Sequence, residues 1–496
     1  MNRLLSFLDR RINPVLVKEV RQSVRGRFFR TAFLFALTIA WITTLLVLQE
    51  IQGSRNQADG GQSLFLWLHG IFVLTSFIIV PQLANRGMAA EQEENTYDAL
   101  LTSGLAPAKI IAGKMMAALV IQLLFLSAFL PFLSLGFALF GLDMVVSLVL
   151  LLFTTAGGFG LALLGILAAC LAKNRATSNL MQGILTIGMV ICSISWLGFS
   201  SFTTLEFGTF SMTGWEFFTA VTMALITWFL FLYWVFAYTV SIITHPEENS
   251  SARLRFAAIL LSLGMLGGAT THMIFDPGAE ELNILLIWTL LLTGFFHLPS
   301  FTEADSLGRR ASADLSLKKW GRPGMGLFLK GGGRGTALFF ICLALPFLLF
   351  VFFPSLNAWN IKNGGLGSVA TLLILLAVTG IPAAIAASPK ASGRKRKIWR
   401  LLILFSLPLL SLLAVLTGLL VGEVNLTHPL NAFGFIFEAI DPIGGRQPSL
   451  APGSTAFFGF FGILGLVISL NRIFHALKET KVARKAIRDG MGANSE

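Results

Sequence analysis

LFLWLHGIFVLTSFIIVPQLA, residues 64–84, runs for 21 positions without one Asp, Glu, Lys or Arg. A helix needs roughly 20 apolar residues to cross the hydrocarbon core of a bilayer. Runs of this kind recur about twelve times by that criterion. Their limits are 31–49, 64–84, 115–141, 145–172, 180–200, 215–243, 256–275, 282–300, 336–354, 367–387, 399–422 and 455–474. An isolated strand leaves its backbone unsatisfied in lipid, so every run is expected to be a helix. Composition agrees: mean hydropathy is +0.76, with 55% hydrophobic and 12% charged residues. The fold class expected is all-α, a polytopic helical membrane protein with about twelve spans.

The basic residues orient these spans. With the N-terminus in the cytosol, Arg55, Lys362 and Arg446 are the only external members of the 37 Lys and Arg. Both termini are then cytosolic, and the net charge of +12 is an orientation signal with no bearing on nucleic acid. Cys170, Cys192 and Cys342 fall within spans, so no external disulfide framework is expected. A polar, basic stretch precedes the first apolar run. The first span is therefore read as its own insertion signal rather than a cleaved leader.

Residues 1–30 read as cytosolic interfacial helices. Leu4, Leu5, Leu8 and Ile12 make one apolar stripe, and Asn13-Pro14 supplies a cap with a first-turn proline. Val17, Val20, Val24 and Phe28 make a second stripe opposite Lys18, Arg21, Arg25 and Arg27. A helix basic on one side and apolar on the other suits the headgroup plane.

The most organised polar segment is AEQEENTYDALLTSGLAPAKIIAGK, residues 90–114. Tyr97, Leu100 and Leu101 share one helical face at i, i+3 and i+4. Glu91, Glu93 and Glu94 are read as the first turns of a helix, where the dipole favours acids. Gly104 suits a C-terminal cap, and Pro107 suits the start of a second helix.

Several chemistries are missing from the sequence. No G-x-x-x-x-G-K-[ST] occurs, and the histidines show no metal spacing. Charged residues avoid the middles of the spans, and Asp143, Glu206, Glu216 and His297 are read at their edges. Gln122, Thr154, Thr155, Ser193 and Ser195 are the milder polar residues inside, candidates for a pathway or for interhelical hydrogen bonds. Gly157, Gly158, Gly160, Gly264 and Gly268 are read as sites of close helix packing. The chain is expected to hold no cofactor, with its energy supplied by a partner.

Two segments carry a family resemblance. NPVLVKEVRQSVRGRFF (13–29) resembles the opening of the export-class ABC permeases, the type-two ABC membrane family. Residues 91–114 resemble that family's E-x-E-x-G-T-L-x-x-L-L-x-(T/S)-P-L-x-x-x-x-I-x-x-G-K loop. Glu91, Glu93, Thr96, Leu100, Leu101, Pro107, Ile110 or Ile111, Gly113 and Lys114 carry the match, while Asn95, Tyr97 and Ala106 depart from it. The resemblance covers roughly residues 1–245. It implies a six-span permease domain over 31–245, with 86–114 as a coupling loop for a separate ABC ATPase that holds ATP and Mg. By position, Glu91, Glu94, Tyr97, Leu100 and Leu101 would dock that ATPase. It also implies a cell-membrane location, in bacteria the inner membrane. Residues 246–496 would be a second six-span domain, either a diverged repeat or an appended one. The longer external loops 201–214 and 423–454 occupy matching places in the two halves. In the latter case, a second permease chain joins the partner list. The rival is a secondary transporter of the major facilitator type, because residues 305–310 (DSLGRR) resemble that family's D-x-x-G-R-R loop.

Overall fold

The computed structural model describes residues 13–53, 57–93, 105–138, 144–172, 175–206, 214–244, 249–275, 281–305, 325–352, 371–377, 380–388, 400 and 452–493. These residues are overwhelmingly helical and contain no strand. In chain order the helices are α1 (Pro14–Arg25), α2 (Arg27–Gly53), α3 (Gln57–Leu74), α4 (Val80–Glu93), α5 (Pro107–Ala138), α6 (Met144–Leu171) and α7 (Arg175–Glu206). There follow α8 (Gly214–Ile243), α9 (Ser251–Phe275), α10 (Glu281–Phe301), α11 (Gly332–Phe352), α12 (Ile381–Ala387) and α13 (Pro452–Ala493). Residues 371–377 are also helical.

Among the described residues, eight helices are long and apolar enough to cross a membrane. They match the first seven expected runs and the last. The 282–300 run lies in α10, the 336–354 run begins in α11, and the 367–387 run falls in shorter helical pieces. The 399–422 run lies outside the described residues, save Arg400. Side-chain placement supports a lipid environment. Phe35 is 66% exposed, whereas Arg255 is fully buried. A water-soluble fold sorts these residue types the other way.

Contacts divide the chain into two units. The first holds residues up to Gly214 plus Tyr238–Thr244, and the second holds Trp215–Ala237 and His245 onward. The division expected from the sequence lay near residue 245; most of α8 groups with the C-terminal unit.

In the first unit, α3 and α4 form one central span, joined by a π-helical turn at Thr75–Ile79. Pro81 lies just beyond that turn, where a proline cannot donate to the carbonyl four residues back. Around this span pack α2, α5, α6 and α7. Ile121, Phe125, Phe129 and Leu133 repeat every fourth residue along α5 and bury against Leu64, Phe65, Leu68 and Phe72 of α3. Apolar burial drives little here, because lipid tails are as apolar as Phe or Leu. Close packing and polar bonds hold such units together. Gly158 of α6 serves the packing, since a Cβ there would meet Ser76 Oγ at 2.5 Å. Gly157 likewise faces Phe77, whereas a Cβ on Gly268 of α9 would meet nothing within 4 Å among the described residues.

In the second unit, α10 and α11 lie side by side, with α9 and α13 against them. Trp234 Nε1 of α8 donates to the Phe296 carbonyl at 3.1 Å. Phe301 and Phe339 meet in the core of this unit with their rings tilted by 51° and centroids 5.5 Å apart.

Candidate functional site

The residues that bracket the 94–104 segment form a charge cluster built by three helices. Asn13 starts α1: its Oδ1 accepts from the Val15 N–H at 3.1 Å, and Pro14 needs no donor there. Gly26 ends α1, donating to Gln22 and Ser23 carbonyls. The helix then lies against the start of α5. Asn13 Nδ2 donates to the Lys109 carbonyl at 2.6 Å. Val15 fits into the space beside Gly113, where a Cβ would approach it to 2.7 Å. That approach gives the Gly113-Lys114 pair a physical purpose: the glycine admits α1, and the lysine meets its acid.

Lys114 Nζ stands 2.7 Å from Glu19 Oε1 of α1 and 2.9 Å from Glu91 Oε2 of α4. It also donates to the Gly87 carbonyl at 3.3 Å. Lys18 Nζ completes the group at 2.9 Å from Glu91 Oε1. Two ammonium and two carboxylate groups balance, which is what permits Lys114, Glu19 and Glu91 to be buried. Unlike the expectation of a new helix starting here, Glu91 and Glu93 fall in the last turn of α4. The dipole there opposes acids, and the two lysines supply the compensation for Glu91.

Of the expected docking residues, Glu91 is therefore turned inward, 7% exposed. Glu94, Tyr97, Leu100 and Leu101 lie outside the described residues. Along α1, Val17, Arg21 and Arg25 are exposed, while Val20 and Val24 are half-buried; Phe28, exposed as well, already belongs to the first turn of α2. The fully buried face carries Val15 and Glu19 instead. The helix thus offers apolar Val17 outward and grips α5 with its other side. Arg86 places its guanidinium 4.3 Å from the centre of the Phe28 ring.

Deeper in the same unit, Thr154 is the node of a polar network. Its hydroxyl donates to the Leu150 carbonyl at 2.7 Å and accepts from Trp196 Nε1 at 2.8 Å. His69 Nε2 lies 2.9 Å from the same oxygen. Since the hydroxyl proton is already committed to Leu150, His69 must be the donor through Nε2. Gln122 donates to Ser76 Oγ, which reaches the Thr154 carbonyl at 3.4 Å. Nearby, Asn85 Nδ2 donates to the Gly165 carbonyl at 2.9 Å. Of the candidate pathway residues, Gln122 and Thr154 meet in this network. Thr155 bonds back to Leu151, Ser193 is buried and bonds to Met189, and Ser195 is exposed. The network's His69, Ser76 and Trp196 escaped the sequence reading. An imidazole inside an otherwise uncharged 21-residue run was the available signal.

The second unit has its own buried charges. Arg255, at the start of α9, donates to Glu303 at 2.5 Å and to the carbonyls of Leu327, Leu329 and Gly331. Ser251 donates to the other oxygen of Glu303 at 2.6 Å. Asp305 accepts from the Gly333 N–H at 2.7 Å and pairs with Arg472 at 2.9 Å. Arg334 pairs with Glu479 at 3.2 Å. His297, read at a span edge, is fully buried beside Phe339. No group of His, Cys, Asp and Glu suited to a metal ion occurs among the described residues.

No family model, curated protein or solved structure matches the chain.

Proposed function

We propose that the chain is the membrane-embedded permease subunit of an ATP-driven ABC exporter, energised by a separate ATPase that docks on the loop 86–114. In this reading twelve spans cross the cell membrane with both termini cytosolic. ATP and Mg belong to the partner, and the chain itself is not an enzyme. One observation carries the reading: Glu19, Lys114, Glu91 and Lys18 tie α1, the end of α4 and the start of α5 together around the 94–104 segment. A partner that moves this segment moves three helices at once. The positions of Leu100 and Leu101 between those helices make them the contact to test. With Leu100→Asp and Leu101→Asp, the chain should still insert but lose co-purification with a co-expressed ABC ATPase. Unchanged co-purification and unchanged ATP turnover would overturn the proposal.

The secondary-transporter reading has one observation of its own, the buried imidazole of His69 within a candidate span. It requires that a proton ionophore stop transport while ATP is held constant.

A further inference from the structure

Two adjoining cavities, of about 600 and 730 Å³, open along residues 471–482 of α13. Asn471, His475 and Lys478 line both, at the i, i+4 and i+7 positions of one helical face. This stretch closes the candidate span Ala456–Val482, so the cavities lie where a hydrocarbon core would give way to headgroups.

Their charges do not balance. Arg472 is matched by Asp305 and Arg334 by Glu479. Lys478 and Lys481 are exposed and have no ion pair among the described residues. Arg472 stands in the wall of the larger cavity but is only 9% exposed and committed to Asp305, so the lysines carry the excess charge. Beside the polar Asn471, His475 and Thr480, the smaller cavity has an apolar strip: Phe474 is 71% exposed and Leu477 43%. A free phosphate would answer the lysines and leave Phe474 and Leu477 bare. A zwitterionic lipid would cover the apolar strip and leave the excess positive charge uncompensated.

We propose that these cavities seat an anionic phospholipid, its phosphate beside Lys478 and Lys481 and an acyl chain along Phe474 and Leu477. Basic recesses at the ends of membrane helices are suited to anionic headgroups. The inference is independent of the exporter reading and stands on the second unit alone.

The test uses the purified full-length chain in detergent, with bound lipid counted by native mass spectrometry. Phosphatidylglycerol and phosphatidylcholine of identical acyl chains are compared, with inorganic phosphate as the free anion. Phosphatidylglycerol should be retained over phosphatidylcholine. A Lys478→Gln, Lys481→Gln double variant, altered only at exposed positions, should bind phosphatidylglycerol about thirtyfold more weakly. Phe474→Ser should weaken the lipid and leave any phosphate binding unchanged. Equal retention of phosphatidylcholine, or undiminished binding by the double variant, would overturn the site. Inorganic phosphate displacing the lipid mole for mole would overturn the lipid assignment in favour of a free anion.

Discussion

Lys114 Nζ lies 2.7 Å from Glu19 Oε1, across 95 positions of sequence. That bond decides where the N-terminal helix rests: α1 is held by the third span, although the chain hands it directly to the first. Replacing Lys114 by Met removes the only cation that touches both Glu19 and Glu91 among the described residues. Stranding a buried carboxylate costs about 3–5 kcal/mol, so the apparent Tm in detergent should fall sharply. Adding Glu19→Gln and Glu91→Gln to that variant should recover much of the loss. A Tm that does not move in the single variant would deny the cluster a structural part.

Gly113 tests the same contact by shape. Its Cβ position lies 2.7 Å from Val15 Cβ, and both belong to backbone-anchored, unbending parts of their residues. Gly113→Val should push α1 off α5 at a cost of about 1–3 kcal/mol. Limited proteolysis should then cut within residues 14–25 faster than in the native chain, with the remaining spans unaffected.

Thr154 should discriminate between hydroxyl and methyl. Thr154→Val keeps the volume but orphans Trp196 Nε1–H and His69 Nε2–H in a buried site. Each unsatisfied donor costs about 1–3 kcal/mol, whereas Thr154→Ser retains the oxygen and should stay near the native Tm. Trp196 fluorescence, shifted in the Val variant alone, reads the loss locally.

Arg255 cannot be replaced by lysine without loss. Its planar fork serves Glu303 and three backbone carbonyls together, and a lysine has three donors on one point. Arg255→Lys should lower the Tm, and Arg255→Gln should lower it further, by about 3–5 kcal/mol in equivalent stability, because Glu303 is then buried unpaired.

How much of this could be read beforehand depended on the kind of signal. Eight of the apolar runs stand as membrane-length helices because length and hydropathy are local properties. The Asn13 cap and the packing roles of Gly157 and Gly158 were legible for the same reason: each uses a residue type with few other purposes. Glu91 was misjudged in orientation. An acid near a helix end suggests an N-terminal turn, and only the remote Lys114 and Lys18 explain how it sits at a C-terminal one. The Thr154 network was half visible for a similar reason. Gln122 and Thr154 were named, but His69 and Trp196 join them only through tertiary contact.

The π-helical turn at Thr75–Ile79 stores angular phase. One residue more per turn than an α-helix needs places everything beyond it about 100° from where a regular helix would point it. Glu91 lies beyond that turn and meets Lys114 at 2.9 Å only with the offset in place. Were the same residues to relax into regular α-helix, the lower half of the span would swing Glu91 away from its lysine. The grip on α1 and the winding of the central span are therefore two readings of one setting.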